Sequence, residues 1–367
     1  MNTAVFSHPP SQFVVAPYLC SNYFPSSATC VFLNTHLRRT TLSSISSPKV
    51  LSRPSTSTFS SSDGSDVGGG DNSDGMVEKL NRGEALGALA EVGRSLSNIP
   101  DDLAVAIKSG KIPAMVVHRY FDLENSPVLG WLLRFGGFKE RLLADDLFLT
   151  KVAIECGVGI FAKTAAELAG RQEYFTKELD FVFADLAMAI IADFMLVWLP
   201  APTVSLRPPL SLNAGCLNKF FYACPDNAFQ VAFSGMSYSL LQRIGAIMRN
   251  GGKLFVVGTG ASLIGTGLTV LLIAARIAID VSFDGQTNDL PILSTSVAYG
   301  VFMAVSSNVR YQILAGVIEQ RILEPLFHEN KLILGATCFA VRTGNTFLGS
   351  LMWVAYAHWI GIQTINE

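Results

Sequence analysis

Between Lys253 and Arg276 the chain runs for 22 residues, Leu254 to Ala275, without an ionisable side chain. At about 1.5 Å of rise per residue such a helix reaches about 33 Å, enough to cross a hydrocarbon core of about 30 Å. Composition points the same way. Half of the residues (50%) are apolar and 15% are charged, against about 25% charged in ordinary soluble domains. The mean hydropathy of +0.38 includes a polar N-terminal stretch, so the remainder is greasier still. A body this apolar is not intrinsically disordered. After residue 62 it carries 23 basic and 29 acidic side chains, which excludes a basic nucleic-acid footprint.

From Met1 to Ser62 there are 22 Ser or Thr, four Lys or Arg and no carboxylate. Such a stretch buries too little apolar surface to fold, and its Ser-rich, acid-free character is that of an organelle transit peptide, expected over residues 1–60. The first basic residue is Arg38. A mitochondrial presequence carries Arg near its start, so the plastid is the expected destination. Residues 61–77, with the run DGSDVGGGDNSDG from Asp63 to Gly75, read as a Gly- and Asp-rich flexible linker. Cys156, Cys216, Cys224 and Cys338 are too scattered for a disulfide framework or a zinc site.

Residues 78–150 read as a small helical region, soluble or interfacial. Asp101 and Asp102 after Pro100 open one helix, and Gly110 closes it. Around Trp131 to Leu143, bulky apolar and basic residues alternate at helical spacing, which suits a helix on a lipid surface and a packed soluble helix equally. Candidate spans follow at 152–169, 181–199, 254–275, 292–307 and 334–360. The first holds charges offset by the i,i+4 pairs Lys151/Glu155 and Lys163/Glu167, and is either a span or a surface helix. The last lies in a stretch too long for one upright crossing, which must tilt, break near Arg342 to Asn345, or emerge from lipid. Ala228 to Leu241, apolar but short, suits a surface or re-entrant helix. The fold class is therefore all-α: a polytopic helical membrane protein with four or five spans after a peripheral helical region. Ala201 to Lys253 carries five basic residues and one acid, whereas Arg276 to Pro291 carries one base and three acids. Under the positive-inside rule, carried over to a plastid inner membrane, the long connection faces the stroma. Five spans then put the N-terminal region on the stromal side, and four put it across the membrane.

Lys253 to Gly265 (KLFVVGTGASLIG) looks like a strand, a glycine turn and a helix, with Asp280 placed where a ribose-binding acid would sit. Leu263 stands where the third glycine is needed, and the following helix has no polar face, so the dinucleotide reading is set aside. Gly258, Gly260, Gly265 and Gly267 read instead as positions where helices approach closely in lipid. No P-loop, nucleophile-elbow or zinc-protease motif occurs, and the histidines show no ligand spacing, so no enzyme, metal or cofactor is expected.

The ionisable residues within apolar segments carry the strongest functional signal, because a carboxylate at the bilayer centre costs about 2.5 to 3.5 kcal/mol. Asp185 and Asp193 lie eight positions apart, about 80° around a helix, and can line one cavity wall. Arg342 is their expected counter-ion and Glu155 a weaker partner. Such a set forms either an ion or substrate path that recognises a cationic group, or a buried ion pair that orders the helices. Glu319, Arg321, Glu324 and Glu329 read as the solvated face of a charge-balanced helix ending near Pro325.

Several motifs resemble the RETICULATA-related family of plants: Ile99 to Ala104 (IPDDLA), Asn213 to Phe221 (NAGCLNKFF), Cys224 to Gln230 (CPDNAFQ), Gly258-Thr259-Gly260, Arg310-Tyr311-Gln312 and Glu319 to Pro325 (EQRILEP). The likeness covers about residues 95 to 362. It implies a multi-pass plastid envelope protein connected with leaf mesophyll development and plastid metabolism, with amino-acid transport, basic amino acids in particular, as the implied activity. It brings no catalytic residues, and Asn213, Asn218, Asp226 and Asn227 are residue types that turns and caps also use. The expectation is a plastid envelope protein, most simply of the inner membrane, whose partners are membrane lipid and a small-molecule solute, with no nucleic acid. A homo-oligomer is compatible with it. The alternative is a non-transporting envelope scaffold, and a membrane-embedded enzyme is a third class.

Overall fold

The computed structural model describes residues 71–171, 175–176, 179–207, 215–231, 238–279 and 292–362, and every regular element among the described residues is helical. The expected transit peptide lies outside them. Helix α1 (Asp71–Glu91) begins inside the stretch read as linker. It is followed by α2 (Asp101–Lys108), α3 (Ala114–Glu124), α4 (Pro127–Leu132) and α5 (Gly136–Ala144). Asp102 receives the Leu103 amide at 2.8 Å in the first turn of α2. Gly110 ends that helix at φ +69°, and a β-carbon there would lie 2.1 Å from the Glu78 carbonyl oxygen, so only glycine fits.

These five helices bury one apolar core, with Leu103, Ile107, Val117 and Leu143 essentially solvent-free and Phe148, just after them, buried in it too. Val197, Ala201, Val204 and Leu206, from much later in the chain, belong to the same core. Arg141 joins the two parts: its Nε donates to the Trp198 carbonyl at 2.7 Å, and its guanidinium stacks 4.0 Å above the Trp198 ring.

The second half consists of α6 (Phe148–Arg171), α7 (Leu179–Trp198), the short α8 (Cys216–Ala223), α9 (Leu240–Ile279), α10 (Ile292–Phe327) and α11 (Lys331–Trp359). Three of these, α7, α9 and α10, are long and apolar enough to cross a membrane, fewer than the expected four or five. The 254–275 segment lies within the 40-residue α9, so no strand precedes its glycines. The segment expected at 292–307 is the start of a 36-residue helix. The difference arises because α6 carries Lys151, Glu155, Lys163 and Glu167, and α11 carries the polar run Arg342 to Thr346 (RTGNT). α11 is unbroken at that run.

Large apolar side chains point outward, among them Phe183 and Ile191 on α7, Val256, Ile264 and Leu271 on α9, and Val305 on α10. Contacts between helices rely on small residues. A β-carbon on Gly258 would lie 2.8 Å from the Met303 side chain, and one on Gly300 would lie 2.0 Å from Thr259 Oγ1. Gly265 faces Met188 at 3.6 Å, whereas Gly260 and Gly267 meet nothing within 4 Å, so two of the four expected packing glycines lie against another helix. α10 widens to π-type hydrogen bonding over Met303–Ser307 and Leu314–Leu323. Such segments recur at functional sites.

The CPDNAFQ stretch, part of it expected to be helical, is a loop over residues 224–231 that fastens α7, α9 and α10 together. Asn227 Nδ2 donates to the carbonyls of Pro200 and Gln312, at 2.7 and 3.0 Å, and the Ala228 amide donates to Gln312 Oε1 at 2.8 Å. Asp226 receives Thr203 Oγ1 at 2.7 Å, Arg207 at 2.5 Å and Arg249 at 2.7 Å. Burial alone would raise the Asp226 carboxyl, but the two guanidiniums and the hydroxyl outweigh it and hold it below the ordinary value. A depressed folded value means that the stabilisation is complete above the ordinary carboxylate range and is lost as pH falls through the folded value. Asp226→Asn should therefore lower stability by about 3 kcal/mol near neutral pH, since it leaves two guanidiniums without a counter-charge. The difference in melting temperature from wild type should close as pH drops below about 4. A difference that stays constant with pH would contradict this account of Asp226.

Candidate functional site

Arg342, in the middle of α11 and 2% exposed, grips Glu319 of α10 with both forks of its guanidinium, Nε to Oε1 at 2.7 Å and Nη2 to Oε2 at 2.9 Å. Its Nη1 donates to Glu155 of α6 at 3.0 Å. The other Glu155 oxygen receives Tyr311 OH at 2.5 Å and Thr346 Oγ1 at 2.8 Å. Lys151 extends the network, donating to Asp145 at 2.7 Å and Glu324 at 2.9 Å, with Glu319 at 3.5 Å. Burying these charges is costly, and the bidentate geometry with its extra hydrogen bonds offsets that cost.

The pairing departs from the expected one. Arg342 is held by Glu319 and Glu155, not by Asp185 and Asp193. Lys151 turns away from Glu155, while the Lys163/Glu167 pair forms at 3.0 Å. Glu319, read from sequence as solvated, is fully buried. One signal for it was present: Ala315 and Gly316, one turn earlier, put small residues on the same stripe as Tyr311 and Gln312.

Beside this network, α6, α7, α9, α10 and α11 enclose a partly open cavity of about 250 Å³. Asp185, Asp193, Lys163 and Arg310 are its ionisable wall residues apart from Tyr299 and Tyr311. Lys163 Nζ lies 3.9 Å from Asp185. Asp193 is half-buried and makes no ion pair among the described residues. Room for its carboxylate exists because residue 159 is glycine: a β-carbon there would stand 1.8 Å from Asp193 Oδ2. A cavity of this size has room for several waters or one small solute. No group of His, Cys, Asp and Glu suited to a metal occurs among the described residues, and their four cysteines are free.

Residues 140–317 match a family model described as RETICULATA-like, Protein RETICULATA-related. The Arabidopsis thaliana protein RETICULATA-RELATED 4, chloroplastic, is 66% identical over 280 residues, covering 76% of this chain and 72% of that protein. The chain belongs to the RETICULATA-related family. RETICULATA-RELATED 5, chloroplastic, is 36% identical over 78% of this chain and 40% of its own length, and RETICULATA, chloroplastic, is 30% identical over 73% and 62%, all from the same plant. The match thus spans less than two thirds of the latter two relatives. No solved structure matches the chain. The matched family region takes in Glu155, Asp185, Asp193 and Arg310, and ends just before Glu319.

Arg342→Met should destabilise the purified protein by about 3 to 5 kcal/mol, because it leaves Glu155 buried without a counter-charge and Glu319 with only the longer contact to Lys151. Adding Glu319→Gln should recover part of that loss, with a coupling of at least about 1 kcal/mol in a double-mutant cycle. Strictly additive losses, read by thermal unfolding in detergent, would show that the pair does not act as a unit.

Proposed function

We propose that this RETICULATA-related protein spans the plastid envelope, in its inner membrane, with five helices, and binds and passes a small metabolite that carries a cationic group. The observation that carries the reading is Asp193: a carboxylate without an ion pair among the described residues, facing a cavity walled by five long helices. An intramembrane carboxylate of this kind attracts an ammonium or guanidinium group in a low-dielectric setting. Asp185 adds to the same field. Basic amino acids are the first candidates, on family resemblance, as is a contribution to leaf mesophyll and plastid development.

Two observations support counting α6 and α11 with the three apolar helices. Their charges turn inward onto each other through Glu155 and Arg342, while Phe161 and Leu168 on α6 and Phe339, Phe347 and Leu351 on α11 face out. The N-terminal core also includes Val204 and Leu206 from the connection after α7, so the collar and that base-rich connection share one side. Five crossings satisfy that condition. The scaffold alternative draws on the same network, in which Glu155 and Arg342 serve only to order the helices.

Liposomes containing the protein should take up labelled lysine, arginine or ornithine above empty vesicles, and Asp193→Asn should cut that uptake at least tenfold without lowering protein incorporation. Uptake equal to empty vesicles for all three favours the scaffold. Normal uptake by the variant removes Asp193 from the site.

A further inference from the structure

Arg310 is the cavity's remaining cation, and its surroundings differ from those of the other cations nearby, Lys151, Lys163 and Arg342, each of which has a carboxylate within 4 Å. It sits on α10 just after the first π segment. Nη1 donates to the Asn345 carbonyl and to Asn345 Oδ1, both at 2.9 Å, and Nη2 reaches Ser307 Oγ at 3.3 Å. Nε makes no hydrogen bond, and no carboxylate lies within ion-pair distance among the described residues. Glu155, whose field reaches Arg310, is already held by Arg342, Tyr311 and Thr346. Arg342, by comparison, closes both forks on Glu319.

The guanidinium is nonetheless held in place. Gly349 of α11 lies beneath it, where a β-carbon would stand 2.8 Å from Nη2 and 2.9 Å from Nη1. A guanidinium fixed by neutral acceptors, with no carboxylate against it and Nη2 held by a single long hydrogen bond, is arranged to receive an anionic oxygen. Neutral acceptors would not by themselves justify a charge at this depth.

We infer that Arg310 is the residue that recognises the solute's carboxylate, so that the cavity takes a molecule with an ammonium or guanidinium group near Asp193 and a carboxylate at Arg310, and rejects the corresponding amine. This rests on the solute-binding reading of the cavity and specifies which end of the solute each wall reads. The cavity is large enough to admit one such small zwitterion. Two opposed charges in one low-dielectric site also predict selectivity against plain cations, since a diamine would leave Arg310 unpaired and be repelled by it.

The test is binding to the purified full-length chain in detergent, with each amino acid matched to its decarboxylated amine: lysine with cadaverine, arginine with agmatine. Wild type should bind the amino acid at least tenfold more tightly than the amine. Arg310→Gln should bring that ratio near one by weakening the amino acid and, with the repulsion removed, tightening the amine, and Arg310→Lys should restore part of the preference. Equal binding of both partners by wild type, or an undiminished preference in Arg310→Gln, overturns the role of Arg310 and leaves the solute cavity standing. Absence of binding by every member of both pairs overturns the cavity reading and this inference together. Should Arg310→Gln fail to fold, the wild-type ratio and Arg310→Lys decide: a ratio near one in wild type, or one unaltered in Arg310→Lys, counts against it.

Discussion

A guanidinium buried between two carboxylates sets the arrangement of everything around it. Arg342 on α11 closes on Glu319 of α10 and Glu155 of α6, so two consecutive helices and one far earlier in the chain must present these side chains to one point. Charges this deeply buried permit little slippage, because moving one helix by a turn leaves at least one of them unpaired in a low-dielectric medium. With the ionisable residues of α6 and α11 turned inward, their outer faces become as apolar as those of α7, α9 and α10. Around this network the long helices bury charged and polar side chains and expose large apolar ones, whereas the N-terminal helices keep an apolar core.

The cavity is a consequence of the same arrangement. Small residues bring the helices close in some places, as at Gly258 and Gly300, and elsewhere they make space for a charged head, as Gly159 does for Asp193 and Gly349 for Arg310. The glycines in these two roles cannot be distinguished in the sequence. A π segment just before Arg310 re-aims the residues that follow it on α10. The CPDNAFQ loop then fixes α10 against α7 and α9 from one end, through Asn227, Gln312 and Asp226.

Much of the fold was legible in the sequence where the signal is local. The uncharged run of α9 and the apolar stretch of α7 are properties of consecutive residues, and both are helices of sufficient length. The count of candidate spans was read too high: four or five were expected and three described helices qualify, because the charges on α6 and the polar run on α11 interrupt their apolar character. Partner assignment failed for a related reason. Glu155 and Arg342 are separated by 187 positions, and nothing near either residue announces the other. Glu319 looked solvated because Arg321 beside it offsets its charge locally, although it lies on the buried stripe of α10. Asp226 and Asn227 were read as turn residues; they do form a turn, and they also bind three helices through it.

The central claim is that lipid surrounds this bundle while water reaches its interior beside Asp193. Spin labels placed singly at Ala189 and Ser262 on the cavity wall, and at Val256 and Ile264 on the outer face, test it in reconstituted vesicles. The account predicts that a water-soluble nickel chelate relaxes the cavity labels and that dissolved oxygen, which concentrates in the acyl chains, relaxes the outer ones. Strong nickel relaxation at Val256 and Ile264, with little at Ala189 and Ser262, would contradict it.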